Sequence, residues 1–141
     1  MKTSSAGISL IKKFEGCRLT TYTDAAGVLT IGYGHTGKDV VPGLTITQIM
    51  ADTLLATDLE KFEYKVMKYD PVYHWTQCEF DALVSFAYNI GSIDALTDQG
   101  KRDRQTIRSN MLLYRKAGGK ILPGLERRRI LELRTFCSDI K

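Results

Sequence analysis

At 141 residues, 43% of them hydrophobic and with a formal net charge of +4, the chain has room for one domain with a real core and is too mixed in composition for disorder. It has no repeat or low-complexity segment, and no apolar run long enough to span a membrane. Residues 1–16 are too short and too interrupted for a signal peptide, so synthesis in a cytoplasm is expected. Cys17, Cys78 and Cys137 are an odd number without metal-ligand spacing, and only two His accompany them. The thiols therefore read as free, and neither metal nor cofactor is expected. A nucleophilic Cys17 would need a His, and none is near it in sequence.

Gly7, Leu10, Ile11 and Phe14 recur at helical spacing, Ser4 or Ser5 offers an N-cap, and Gly16 stands where a helix ends in a left-handed residue. Glu15 falls in the last turn. There the helix dipole and unpaired carbonyls disfavour an ionised carboxylate, so Glu15 is expected to keep its proton as a general acid must. After Gly16, Leu19, Thr21 and Thr23 alternate with Arg18, Thr20 and Tyr22 as in a strand. Asp24-Ala25-Ala26-Gly27 reads as a type I turn, and residues 28–35 as a second strand with one face left bare by Gly32 and Gly34. Asp24 is thus expected on an exposed hairpin, ionised. Two carboxyl groups in unlike surroundings are what glycoside hydrolysis requires.

Glu15, eight residues, Asp24, five residues, Thr30 is a spacing that resembles the catalytic triad of the phage-type lysozymes, glycoside hydrolase family 24. The flanking words LIKKFEG, DAAG and TIGYGHTG resemble the family too. The resemblance implies an α+β, mainly α-helical, lysozyme-like two-lobed fold, with a small β-hairpin lobe and a helical lobe joined by a long helix. Over residues 1–141 it places the small lobe at about 15–46, the linking helix at about 47–69, and the helical lobe at about 70–141 plus the N-terminal helix. It implies a muramidase that cuts the β-1,4 bond between N-acetylmuramic acid and N-acetylglucosamine in peptidoglycan glycan strands. Glu15 would be the acid, Asp24 would stabilise charge or guide a water, and Thr30 would hold that water. His35, Tyr33, Asn89 and Arg128 would bind substrate or support the site. Export through a hole-forming partner protein to the bacterial wall is implied as well, and a monomer is expected.

Further along, Leu55, Leu59, Phe62, Val66 and Tyr69 mark one amphipathic helix over residues 44–69, with Thr45 or Thr47 as cap. Asp70-Pro71 stops it, and Thr76-Gln77-Cys78-Glu79 is a capping box for a central helix carrying Phe80, Leu83, Val84, Ala87 and Gly91. Asn89 either caps that helix or touches sugar. Residues 92–106 depart from the family's pattern. The resemblance resumes at residue 111, where Ile107, Met111 and Tyr114 read as one helix stripe and Ile130, Leu133, Phe136 and Cys137 as the last. An Arg in the Arg127–Arg129 triplet, with Arg128 favoured, would pair with Glu15 as in the family. Residues 101–134 hold eleven Lys or Arg against Asp103, Glu126 and Glu132. Such a stretch attracts polyanions, so a nucleic-acid-binding domain is one alternative. The altered 92–106 segment argues for another, a wall-binding or interaction protein without turnover; a secreted antibacterial effector is a third. Nucleic-acid binding has no need of the triad spacing, which favours the hydrolase and no nucleic-acid partner.

Overall fold

A computed structural model describes residues 1–139. The chain divides into two compact units, residues 12–60 and residues 1–11 with 61–141. Helices α1 (Ser5–Glu15) and α2 (Gln48–Met67) each begin in one unit and end in the other.

In the unit of residues 12–60, β1 (Arg18–Thr23) pairs antiparallel with β2 (Leu29–Gly32), with Tyr22 opposite Thr30 and Thr23 opposite Leu29. The chain then returns to the outer side of β1, where Thr21 N–H donates to Leu44 O at 2.9 Å and Ile46 N–H to Leu19 O at 2.8 Å. β2 is shorter than the eight-residue strand its sequence suggests. Gly32 and Gly34 take φ of +66° and +86°, and Ile31 and His35 exchange both backbone hydrogen bonds, at 2.9 and 2.8 Å. The glycines therefore fold the chain back on itself instead of baring a strand face. Gly32 also lies against α2, since a Cβ there would stand 3.7 Å from Ala51. Ile31, Tyr33, Val40, Ile46, Ala51, Leu55 and Leu59 are the core of this unit. Thr47 caps α2 through its hydroxyl, which accepts from Met50 N–H at 3.2 Å.

The other unit is built around α4 (Gln77–Ile90). Its capping box is complete: Thr76 Oγ1 accepts from Glu79 N–H, and Glu79 Oε1 from Thr76 N–H. Residues 79–87 are buried without a break, so α4 is covered on all sides, as a central helix must be. α2 is shorter than the 44–69 span its sequence suggests and ends at Met67, and Asp70-Pro71 starts a short helix, α3 (Asp70–Tyr73), with Pro in the first turn. Residues 92–111 supply α5 (Asp94–Thr97) and α6 (Arg104–Met111), the latter capped by Asp103. α7 (Pro123–Phe136) packs along α4.

Two further expectations fail in this unit. Tyr114 is not on the helix of Ile107 and Met111, because α6 ends at Met111 and the chain enters a hairpin of β3 (Lys116–Ala117) and β4 (Lys120–Ile121). Gly118 and Gly119, at φ +58° and +80°, make the two-residue turn that twisted hairpins favour. Tyr114 still reaches the core, edge-on to Phe86 with ring centroids 4.9 Å apart. The second failure is the stripe of α7: Ile130 is exposed, while Arg128, Arg129 and Glu132 are buried with Phe136. Positions 128/129, 132 and 136 keep helical spacing, but the face turned inward is charged. Glu132 Oε2 accepts from Ser85 Oγ at 2.6 Å, Arg128 Nε at 3.1 Å and Arg129 Nη2 at 3.2 Å. The second Arg128 nitrogen donates to Ser85 O at 3.0 Å. Mutual pairing is what makes burial of these charges tolerable.

Candidate active site

Glu15, Asp24 and Thr30 all lie in the unit of residues 12–60. Glu15 is the last residue of α1 and half-buried; the helix closes with Gly16 N–H on Lys12 O at 3.1 Å and Gly16 at φ +66°. Gly in the left-handed region stops the helix at this point and leaves Glu15 at its carbonyl end.

Asp24 opens the turn as expected, its carbonyl accepting from Gly27 N–H at 3.0 Å. Its side chain is fixed by the turn itself. Oδ1 accepts from the N–H groups of Ala26 and Val28, both at 2.8 Å, which leaves Oδ2 out of those bonds. The Asp24 N–H donates to Val28 O at 2.9 Å, so Asp24 stands opposite Val28. Thr30 is two residues beyond Val28 on the partner strand, and the two-residue period of a strand places Asp24 and Thr30 on one face as diagonal neighbours, about 7–8 Å apart. Thr30 is 3% exposed, and its hydroxyl donates to Val28 O at 2.9 Å. With its hydrogen so engaged, Thr30 Oγ1 offers lone pairs: it can accept from a water and has nothing left to donate.

His35 and Tyr33 tie the turn after β2 to α2. His35 Nδ1 is 2.7 Å from Asp58 Oδ2 and Nε2 is 2.9 Å from Asp39 Oδ2. Burial works against the charged imidazole, but bonds to the two carboxylates outweigh it and raise its pKa above the ordinary value. The Tyr33 hydroxyl accepts from Gln48 Nε2 at 2.9 Å, and Lys12 Nζ lies 5.1 Å from the Tyr33 ring centre.

Sequence reading missed the rest of this support. Lys12 Nζ and Gln48 Nε2 each reach Asp52 Oδ1 at 2.9 Å. The hydrogen bond to Asp52 raises the Lys12 pKa, and Lys12 holds the Asp52 carboxyl below its usual range. These bonds fix the end of α1 that carries Glu15 against the start of α2. Gln48 and Asp52, four apart on a helix, were a legible pair, whereas Lys12 is forty residues away from its partner.

Asn89 and Arg128 belong to the other unit. Asn89 does not cap α4, because Gly91 N–H makes the closing bond to Ala87 O at 2.6 Å; the Asn89 Oδ1 accepts from Arg129 Nη2 at 2.9 Å. Arg128 is buried at 3% exposure in the Glu132 and Ser85 network. Nor is the basic stretch a uniform solvated face: Arg129 is fully buried, Arg102 bonds main-chain carbonyls of α5, and Arg104 is fixed on Glu79 at 2.7 Å. Among the described residues, no group of three or more His, Cys, Asp or Glu is placed to hold a metal, and none of the three cysteines forms a disulfide.

The family model described as phage lysozyme matches residues 12–132. The endolysin of Lactococcus phage c2 is 42% identical over 144 aligned residues, which cover 96% of this chain and 60% of that endolysin. The chain thus spans about three-fifths of that relative's length. Two solved structures are similar nearly end to end. The endolysin from Escherichia coli O157:H7 phage FAHEc1 superposes with a TM-score of 0.82 at 35% identity, covering 99% of this chain and 96% of that one. The muramidase domain of SpmX from Asticaccaulis excentricus gives 0.81 at 34% identity, covering 96% and 98%. The matched stretch contains the helix end, the turn and the hairpin that carry Glu15, Asp24 and Thr30, and with sequence and fold in agreement over nearly its whole length the chain belongs to the phage lysozyme family.

Proposed function

We propose that the chain is a muramidase, hydrolysing the β-1,4 bond between N-acetylmuramic acid and N-acetylglucosamine and so lysing bacteria. What supports this is the hairpin: two main-chain N–H groups hold one oxygen of Asp24, the Thr30 hydroxyl gives its hydrogen to Val28 O and is left to accept, and the strand period puts the two residues on one face. The names endolysin and muramidase borne by relatives support the reading. In it Glu15 protonates the leaving oxygen. A water donates to Thr30 Oγ1 and to Asp24 Oδ2, which takes up its proton as the oxygen attacks the anomeric carbon from the opposite side. No covalent glycosyl intermediate forms. Tyr33 and His35 act by holding the turn on α2, and Arg128 and Asn89 act within their own unit, on the contacts of α7 with α4. Passage to the wall through a hole-forming partner is part of the proposal; among the described residues no helix is long and apolar enough to cross a membrane.

The test is a turbidity assay on exposed peptidoglycan, followed by proton NMR of the fresh product. Water attack opposite the acid gives the inverted anomer and requires the two carboxyl groups to stand roughly 6.5–9.5 Å apart. Lysis with the retained anomer would remove Asp24 and Thr30 from their water-holding roles.

A further inference from the structure

Lys61, Lys65 and Lys68 stand at i, i+4 and i+7 along the end of α2 and just past it, with Tyr64 among them. They line one wall of a groove of about 640 Å³, whose other wall includes Gly91 and Asp94. The ammonium groups are held in place. Lys65 Nζ donates to Gly91 O at 2.8 Å, and Lys61 and Lys65 lie over the Phe62 ring at 5.1 and 5.3 Å. Asp94 is the one acid in the lining; its carboxylate already accepts from the Tyr69 hydroxyl and stands 3.7 Å from Lys68 Nζ. Glu63, on the same helix, is occupied by Thr3, whose N–H and hydroxyl both reach Oε2 at 2.7 Å. Tyr64 is 78% exposed, an aromatic surface that the fold leaves uncovered.

We propose that this groove binds a phosphodiester polymer of the bacterial wall, in which polyol or sugar units alternate with phosphates; the proposal rests on the wall-hydrolase reading. The helical rise places the first and third lysines about 10 Å apart along the axis, room for successive charges of such a chain. Three point charges suit phosphates that carry no base code, and Tyr64 offers a flat face to the C–H surface of the intervening unit. Single-stranded nucleic acid fits less well, because successive bases would need a series of stacking platforms and the groove has one aromatic. Binding here would hold the enzyme on the wall while the hairpin site works.

The test is fluorescence anisotropy with a labelled poly(glycerol phosphate) chain at low salt, with single-stranded DNA of equal charge as competitor. The Lys61→Gln/Lys68→Gln variant keeps the bond from Lys65 to Gly91. The Lys116→Gln/Lys120→Gln variant removes the same charge from the exposed β3–β4 hairpin. Affinity should fall about tenfold or more in the first and less than about twofold in the second, and DNA should compete poorly. Equal losses in the two variants, no loss in the first, or a preference for DNA would each overturn the proposal. Lysis of phosphate-free peptidoglycan separates the two readings. Parent-like lysis there with an unaltered affinity in the groove variant sinks this inference alone, whereas groove-dependent binding without any lysis by the parent sinks the hydrolase.

Discussion

The two units treat their acids in opposite ways. On the β1–β2 hairpin, Asp24 is half-exposed and held by main-chain N–H groups of its own turn, with one oxygen left out of those bonds. On α7, Glu132 is fully buried and taken up by Arg128, Arg129 and Ser85. A carboxylate fixed by local backbone at the surface can change partners during a reaction without disturbing a core. One buried between two guanidinium groups cannot. The acid proposed for chemistry and the acid held in the core thus differ in what holds them, and substitutions should separate them too.

The largest stability effect is expected at Glu132. Glu132→Gln keeps the shape but removes the buried carboxylate that Arg128 and Arg129 both bond, and should cost about 3–5 kcal/mol in a denaturant titration. A cost under about 1 kcal/mol would mean that the network is not what holds α7 on α4. Next comes Gly7, where an added Cβ would sit 2.7 Å from both the Asp81 carboxyl carbon and the Thr3 methyl. Asp81 cannot retreat freely, because it accepts from Ser4 N–H at 2.9 Å and Gln77 Nε2 at 2.8 Å. Gly7→Ala should therefore destabilise by about 1–3 kcal/mol, read from the same titration. A neutral result would show that the N-terminal segment packs more loosely than these bonds suggest.

The smallest effect belongs to the hairpin unit and depends on pH. Because the folded pKa of His35 is raised above 6.5, its contribution is complete below that value and is lost as pH rises through the folded pKa. The melting temperature of the parent should decline over that upper range more than that of His35→Gln. Parallel profiles would show that Asp58 and Asp39 do not favour the charged imidazole.

How much of this was readable in sequence follows from the same contrast. The Asp24–Gly27 turn, the Gly16 stop and the Thr76–Glu79 capping box are satisfied within four residues, so residue type and spacing suffice to find them. The inward face of α7 is fixed by Ser85 and Asn89, forty or more residues away, and a search for apolar stripes passes over a buried charged one. The β3–β4 hairpin did carry a local signal, Gly118-Gly119, which was masked by the helical period running up to Met111. Lys12 looked like any solvated lysine until the fold brought it to Asp52.

Whether the hairpin unit carries the chemistry is tested most directly at Glu15. Glu15→Gln removes the proton donor with almost no change in shape, so the purified variant should keep the parent's circular dichroism and melting temperature. Its rate of clearing a suspension of exposed peptidoglycan should fall by about 10²–10⁴-fold. Clearing at the parent's rate by the folded variant would contradict the account, because no acid could then be acting from the end of α1.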